Sequence, residues 1–389
     1  MSQLLESRWS ETKEALLEGL QGNKRSVMAT TLENTRKYLA ESATAGATSA
    51  GNVATLNRVI LPVIRRVMPT VIANELVGVQ PMTGPVGQIH TLRVRYSDTF
   101  AGATGGATTA GEEALSPFKI AEGYSGATTG KPASTAALEG VAGNKLSIQI
   151  LKQTVEAKTR KLSARWTFEA AQDAQAQQGI DIEAEIMAAL AQEITAEIDQ
   201  EVLRSLASLS STVLTYDQAA VSGTATFVGD EHAALAVQIN RAANLIAQRT
   251  RRGAGNWAVV SPTTLTLLQS ATTSAFARTT EGTFEAPTNT KFVGTLNSAM
   301  KVYVNTYAEN DNVLVGYKGA SESDAAAFYC PYIPLMSSGV VLDPATFEPV
   351  VSFMTRYGYV ELTNTASSLG NAGDYLATVA VTSANLRFA

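Results

Sequence analysis

The chain has 389 residues, 45% of them hydrophobic, so it can bury a sizeable core, and its length predicts two or three domain-sized units. Only 17% of the residues are charged, below the roughly 25% of an average soluble protein, and Ala, Thr, Ser and Gly take their place. This composition predicts a weakly polar surface that neighbouring molecules cover, and the net charge of −5 argues against a dedicated nucleic-acid binder.

Residues 1–55 have the pattern of an arm rather than of a domain. Apolar residues recur at helical spacing in two short segments, Leu5–Leu20 and Met28–Leu39, and a linker of small residues follows. The arm either packs on something else or stays a frayed tail, and the sequence leaves both open. Apolar residues then repeat at helical spacing over Leu56–Val67 and predict a helix that Pro69 ends.

The next segment predicts a long two-stranded loop. Polar and apolar residues alternate over Gln88–Ser97 and again over Leu146–Val155, as in strands. Between them, residues 101–111 consist only of Ala, Gly and Thr. Because this tip lacks large apolar residues, we expect the loop to gain its order from outside, the alternative being a disordered surface loop.

A long helix is the clearest element of the sequence. Over Asp181–Leu206 apolar residues fall at every fourth position, so the apolar stripe winds around the rod and meets different neighbours along its length. The pattern then becomes mixed α/β, with a helix over Leu235–Ile246 and a strand over Asn256–Val260. Ser261 and Pro262 suit the N-cap and first position of another helix. Further predicted strands are Lys301–Tyr307, Val313–Tyr317, Ala325–Leu335 and Pro349–Leu362.

A search for chemical motifs predicts no catalytic residue, no cofactor and no metal site. The two histidines, His90 and His232, lack a partner motif, and no zinc, calcium, nucleotide-loop or nucleophile-elbow spacing occurs. Cys330 is the single cysteine, which excludes an intrachain disulfide and fits a reducing compartment. No stretch approaches the about 20 apolar residues that cross a bilayer, so we expect no membrane contact.

Charged residues cluster on the long helix and in two basic groups. The helix carboxylates are expected on its solvated or subunit-facing side. They are Glu183, Glu185, Glu193, Glu197, Asp199 and Glu201. Inter-subunit salt bridges, nonspecific phosphate contacts and a plain solvated surface are all open readings of the basic groups. These groups are Lys152, Lys158, Arg160, Lys161 and Arg165, and then Arg249, Arg251 and Arg252.

Several longer runs carry a family resemblance. They are PVIRRVMP (62–69), IANELVGVQPM (72–82), GPVGQ (84–88), KTRKLSARWTFEAAQD (158–173), YCPYIPL (329–335), DPATFEP (343–349) and TRYG (355–358). In this order, and continued through the long helix, they closely resemble the major capsid proteins of contractile-tailed (myovirus) double-stranded DNA phages. The resemblance implies an α+β protein with the HK97-like capsid fold. Two features depart from larger family members, since the region before the first run is short and the loop has little room for an inserted domain.

The resemblance also implies a division of the chain. The expected parts are an N-terminal arm (1–55), the start of the P-domain (56–88), the E-loop (89–155), the P-domain with its spine helix (156–224), the A-domain (225–345) and a P-domain return strand with the C-terminal segment (346–389). By this resemblance, the small-residue span is the E-loop and the long helix is the spine.

The implied function is that of a structural shell protein and not of an enzyme. We expect self-assembly into hexamers, with pentamers as a further form, into an icosahedral head that encloses double-stranded DNA and contacts it nonspecifically. The chain would be made and assembled in the host cytoplasm, with portal, scaffold and decoration or vertex proteins as partners. Candidate inter-subunit contacts are Arg65, Arg66, Lys131, Arg249, Arg251 and Arg252. The alternative is an encapsulin-like compartment shell that packages enzymes.

Proteolytic processing of the arm is a separate question. Capsid proteins of this kind are often cut after an apolar-x-Glu triplet, and Leu39-Ala40-Glu41 stands between arm and linker. Two similar triplets, ending at Glu6 and Glu18, show how little such a motif specifies. We expect no cleavage at Glu41.

Overall fold

A computed structural model gives the architecture of the chain. The structure describes residues 9, 13–14, 16–17, 20, 22–44, 72–102, 107–114, 121–127, 129–178, 182–210, 213–221, 228–250, 252–271, 276–278, 291–346, 348–363 and 371–382. The helix predicted over Leu56–Val67 lies outside these residues.

Helices and strands are mixed along the described chain, which confirms the predicted α+β class. The helices are α1 (Gly22–Thr44), α2 (Ala73–Leu76), α3 (Thr135–Leu138), α4 (Phe168–Gln178), α5 (Ile182–Leu209), α6 (Gln218–Val221), α7 (Val228–Thr250) and α8 (Pro262–Ser270). The strands are β1 (Gly78–Val79), β2 (Val86–Tyr96), β3 (Leu146–Glu156), β4 (Lys158–Arg165), β5 (Val213–Tyr216), β6 (Trp257–Val260), β7 (Phe276–Arg278), β8 (Lys291–Leu296), β9 (Met300–Val304), β10 (Val313–Gly316), β11 (Ala327–Ser337), β12 (Val341–Leu342), β13 (Pro349–Glu361) and β14 (Leu376–Val381).

The chain divides into two compact units. The first contains Met1–Gly87, Val155–Arg204 and Phe328–Val360. The second contains Gln88–Thr154, Ser205–Ala327 and Glu361–Ala389.

The first unit is built on a sheet with the order β1-β11-β13-β12, in which β4 also pairs with β13. Burial alternates along β13, so that Val351, Phe353 and Tyr357 enter the core on one face of the strand. The predicted long helix is confirmed as α5, whose 28 residues span about 42 Å. In this unit α5 buries Leu190, Ile194, Ile198 and Val202, as its every-fourth-residue pattern predicts.

The second unit contains a seven-stranded sheet with the order β5-β14-β10-β6-β9-β8-β7. Helix α7 covers it with the predicted apolar face, because Leu235, Ile239 and Ile246 are fully buried in the core. Ser261 caps α8 by accepting a hydrogen bond from the Thr264 N–H at 3.2 Å, with Pro262 in the first turn. The predicted cap is therefore confirmed.

Four strands of this sheet were not predicted from the sequence, namely β5, β7, β8 and β14. β14 pairs with β5 in parallel and with β10 in antiparallel register, and Leu376 and Val379 are fully buried. The run LATVAV is apolar on both faces, as expected of a strand inside a sheet. A signal was therefore present, although only six residues carry it.

Candidate assembly surface

The two-stranded loop exposes a row of large apolar side chains. β2 and β3 pair with each other as a separate two-stranded sheet, as predicted. On β3, Leu146, Ile148 and Ile150 are 49%, 71% and 68% exposed, and their spacing of two residues places them on the same face. We call these three residues the apolar stripe. Ile148 and Ile150 are the most exposed large hydrophobic residues in the described part of the chain.

An exposed row of this kind marks a contact surface. Burying a Leu or Ile side chain stabilises a protein by roughly 1.5–3 kcal/mol. The isolated chain does not gain this free energy in full for any member of the apolar stripe. Contiguous exposed apolar surface on a soluble protein is characteristic of an interaction site. The polar residues between them, Ser147 and Gln149, are also exposed, so neither face of β3 is covered within the described chain at these positions.

The loop also has a small core of its own, which corrects the expectation that it gains its order only from outside. Tyr96 and Tyr124 pack with ring centroids 4.5 Å apart, and Phe100 meets Tyr124 edge-on at 6.2 Å. Ala114 joins them, and both tyrosines are nearly fully buried. We call these four residues the aromatic cluster. The expectation rested on the Gly/Thr-rich tip alone, whereas the aromatic residues that pack together lie far apart in the sequence.

Three of the six basic residues that we expect at subunit contacts lie in the described part of the chain, and their contact with a neighbour stays a prediction. Arg65, Arg66 and Arg251 lie outside the described residues. Lys131 is exposed in the loop, and Arg249 is half-buried in the last turn of α7. Arg252 forms an ion pair with Asp324 of the same chain at 2.6 Å. Arg252 is thus already engaged, and Lys131 is the described member most open to a neighbour.

Four of the six carboxylates of α5 are exposed, as predicted, and they are Glu183, Glu185, Glu193 and Glu197. Glu201 is the first exception, because it is half-buried. Glu197 and Glu201 both form ion pairs with Arg160 of β4, the second at 2.6 Å. Tyr357 of β13 donates its hydroxyl proton to Glu201 and accepts from Arg160 Nε. Residues spaced by four on a helix face the same way, so this pair of carboxylates ties the helix to the sheet.

Asp199 is the second exception, because it is buried. Its Oδ1 accepts a hydrogen bond from the backbone N–H of Ile72 at 2.8 Å, just before α2 begins. Burial raises the pKa of Asp199 to about 7, although the bond from Ile72 opposes the shift. A carboxyl group among apolar residues at a helical position gives no sequence signal that separates it from an exposed one.

The described part of the arm packs on its own chain. Val27, Met28 and Leu32 of α1 are buried, which decides for packing over a frayed tail in this segment. Asn34 is also buried, and its side-chain amide donates to the carbonyl oxygens of Met82 at 2.7 Å and of Tyr332 at 3.1 Å. The helix continues to Thr44, so the triplet ending at Glu41 lies inside it.

Replacing Asn34 by alanine should loosen the arm. The change removes one buried and one partly buried hydrogen bond and leaves the two carbonyl oxygens without this donor, at a cost of about 1–3 kcal/mol. Limited trypsin digestion at Lys24 and Arg25 should then accelerate about tenfold. Thr30→Ala is the matched control, because the Thr30 hydroxyl bonds only to Ser26 of the same helix. Equal digestion rates for both variants would contradict the anchoring role of Asn34.

A cavity in the second unit contains a hydrogen-bonded serine–histidine pair. The cavity measures about 610 Å³ and includes His232, Ser270 and Pro262 in its wall. Ser270 Oγ lies 3.0 Å from the Leu267 carbonyl oxygen and forms a hydrogen bond with His232 Nδ1, in which the donor depends on the imidazole tautomer. Among the described residues, no group of His, Cys, Asp and Glu side chains could hold a metal ion.

Sequence comparisons match the chain to phage major capsid proteins. A family profile described as "Major capsid protein Gp23" matches residues 53–384. The major capsid protein of Vibrio phage KVP40 is 30% identical over 421 residues, covering 85% of this chain and 82% of the relative. That of Enterobacteria phage T4 is 30% identical over 417 residues, covering 82% and 78%.

Solved phage structures resemble the chain more distantly. The capsid of Myoviridae phage XM1 matches with a TM-score of 0.42 and 9% identity over 79% of this chain and 91% of the other. A chain from Microbacterium phage Oxtober96 matches with a TM-score of 0.45 and 11% identity over 79% and 90%. With these low TM-scores, the sequence relatives carry the assignment. In the described residues, no helix is both long and apolar enough to traverse a bilayer.

Proposed function

The chain belongs to the Gp23 family of major capsid proteins, which build the heads of myovirus-type phages. On that premise we propose that it assembles as hexamers into an icosahedral shell, whose pentamers contain either this chain or a separate vertex protein. Family membership supports the HK97-like capsid fold that the resemblance implies. The encapsulin-like alternative has no support, since the family profile and the curated relatives are phage major capsid proteins. The division into arm, P-domain, E-loop and A-domain stays a prediction.

The observation that carries the proposal is the apolar stripe of β3. A two-stranded ribbon is marginally stable alone, and one that exposes two isoleucines gains stability by covering them. We propose that a second copy of this chain covers the stripe. In this proposal the stripe of one copy meets a different surface of the next copy. A contact between two different surfaces is heterologous, and it closes into a ring when the rotation between copies allows it. A ring of this kind is the hexamer, with the A-domains around its axis.

The full chain, expressed and purified alone, tests the proposal. At micromolar concentration, light scattering should report a mass about six times the 41.0 kDa of one chain, or larger particles. Negative-stain microscopy of the same sample should show rings or shells. A sample that contains only 41.0 kDa monomer at every concentration would contradict self-assembly.

The other partners and the lack of enzymatic activity belong to the same proposal. A shell wall must tolerate packed double-stranded DNA without binding it tightly, and a chain with a net charge of −5 meets this need. DNA contact would then be nonspecific and weakened by salt. Portal, scaffold and decoration or vertex proteins complete the expected partners. The proposed role is structural and needs no catalysis.

A further inference from the structure

The residues just before the apolar stripe are held by hydrogen bonds on both sides. The carbonyl oxygen of Lys145 accepts from the Ser97 N–H at 2.9 Å and from the Tyr124 hydroxyl at 2.6 Å. The Lys145 N–H donates to Asp98 Oδ2 at 2.8 Å. The Asn144 side-chain amide donates in turn to the carbonyl oxygen of Tyr124. Both backbone polar groups of Lys145 are therefore hydrogen-bonded directly before β3 begins at Leu146.

Tyr124 is itself fixed by the aromatic cluster. Its ring is almost fully buried between Tyr96 and Phe100, so the hydroxyl has little freedom to choose another partner. The cluster rests on the end of β2, where the Tyr96 N–H donates to Glu112 at 2.9 Å and the Ala114 N–H donates to Val94 at 2.7 Å. The Tyr124 hydroxyl thus connects the aromatic cluster, at the end of β2, to Lys145, which directly precedes β3.

The register of β3 decides whether the stripe can dock. Side chains alternate between the two faces of a strand, so a slip of one residue would turn Ser147 and Gln149 to the docking face. Register is weakly specified when neither face of a strand is buried, and residues 146–150 are all exposed. Pairing with β2 and the buried Val155 specify the register toward the other end of β3. At the end of the strand that carries the stripe, groups outside the stripe take this role.

We propose that Tyr124 is a positioning residue that fixes the register of β3 through Lys145 and so presents the apolar stripe for docking. The inference rests on the proposed docking of the stripe. A loop already held in its docking geometry loses less conformational freedom on binding, which favours association without adding a contact.

Tyr124→Phe tests this, because it removes one hydroxyl and keeps the ring. The full chain is studied at a concentration where light scattering shows a monomer. The backbone amides of residues 146–150 should exchange hydrogen about 2- to 10-fold faster than in the unmodified chain, the range of one lost hydrogen bond. At higher concentration the rate of assembly should fall by a similar factor.

Tyr96→Phe is the matched control, since its hydroxyl belongs to the same cluster and lies near the Ala121 backbone rather than Lys145. It should leave exchange at residues 146–150 unchanged. The proposal is overturned if Tyr124→Phe leaves exchange unchanged, if Tyr96→Phe speeds it equally, or if faster exchange leaves assembly unaltered. Hydrogen exchange is measured on the monomer and therefore does not depend on docking of the stripe. If the stripe is not a docking surface, variants in Ile148 and Ile150 should assemble normally, so the two proposals fail in different experiments.

Discussion

Replacing Ile148 and Ile150 together by aspartate should abolish shell formation and leave the subunit folded. Both side chains are about 70% exposed, so the free chain loses little when they change. In the assembled contact the change removes roughly 3–6 kcal/mol of apolar burial and adds the cost of burying two carboxylates. The association constant of each contact should therefore fall at least about a hundredfold, because each 1.4 kcal/mol is tenfold.

The matched control is the double variant Ser147→Asp with Gln149→Asp. It adds the same charge to the same strand at exposed positions, but on the opposite face. Circular dichroism and thermal unfolding should report the same folded subunit for both variants. Microscopy should show particles for the control alone. Normal shells from the isoleucine variant, or equal failure of both, would refute the stripe as the docking surface.

Patterns that are local in sequence allowed most of the fold to be predicted. The period of apolar residues in α5 and α7, the alternation in β3 and the Ser261-Pro262 helix start each depend on neighbours within one or two turns. The family resemblance extended this to the architecture, because several runs in a fixed order identify a family better than any single motif does. The resemblance did not point to the proposed docking surface, which rests on the exposed side chains of β3.

Features that depend on distant residues were missed. Tyr96 and Tyr124 are separated by a Gly/Thr-rich span, and nothing in that span indicates that their rings meet. Asn34 contacts the backbone of Tyr332, almost 300 positions later, so no local pattern could show it. Asp199 was expected on the solvated or subunit-facing side of α5 with the other carboxylates, but the fold buries it. Burial of a polar group is decided by tertiary packing and not by helical period.

The buried carboxyl of Asp199 should make subunit stability depend on pH. Its pKa is about 7 in the folded chain, against an ordinary value of 3.8 that applies when the chain unfolds. Between these values the folded state binds the proton and the unfolded state does not, so the free energy of unfolding falls as pH rises. The slope approaches about 1.4 kcal/mol per pH unit in this window and vanishes above about pH 7, where both states are ionised.

Asp199→Asn should remove this contribution. The amide stays neutral at every pH, and its oxygen can still accept from the Ile72 N–H, so the local packing is kept. Glu193→Gln is the control, because Glu193 is an exposed carboxylate on the same helix.

Urea unfolding at pH 5, 6 and 7 measures the free energy of unfolding of each protein. Subtracting the value of each variant from that of the unmodified chain cancels the contribution of all other titrating groups. The Asp199 difference should change by about 1–3 kcal/mol across this range, and the Glu193 difference by far less. If the two differences are alike, Asp199 ionises as an ordinary surface carboxylate and the burial argument fails. If the Asp199 difference alone changes, the buried carboxyl of α5 stabilises the subunit most at the pH values where it is protonated.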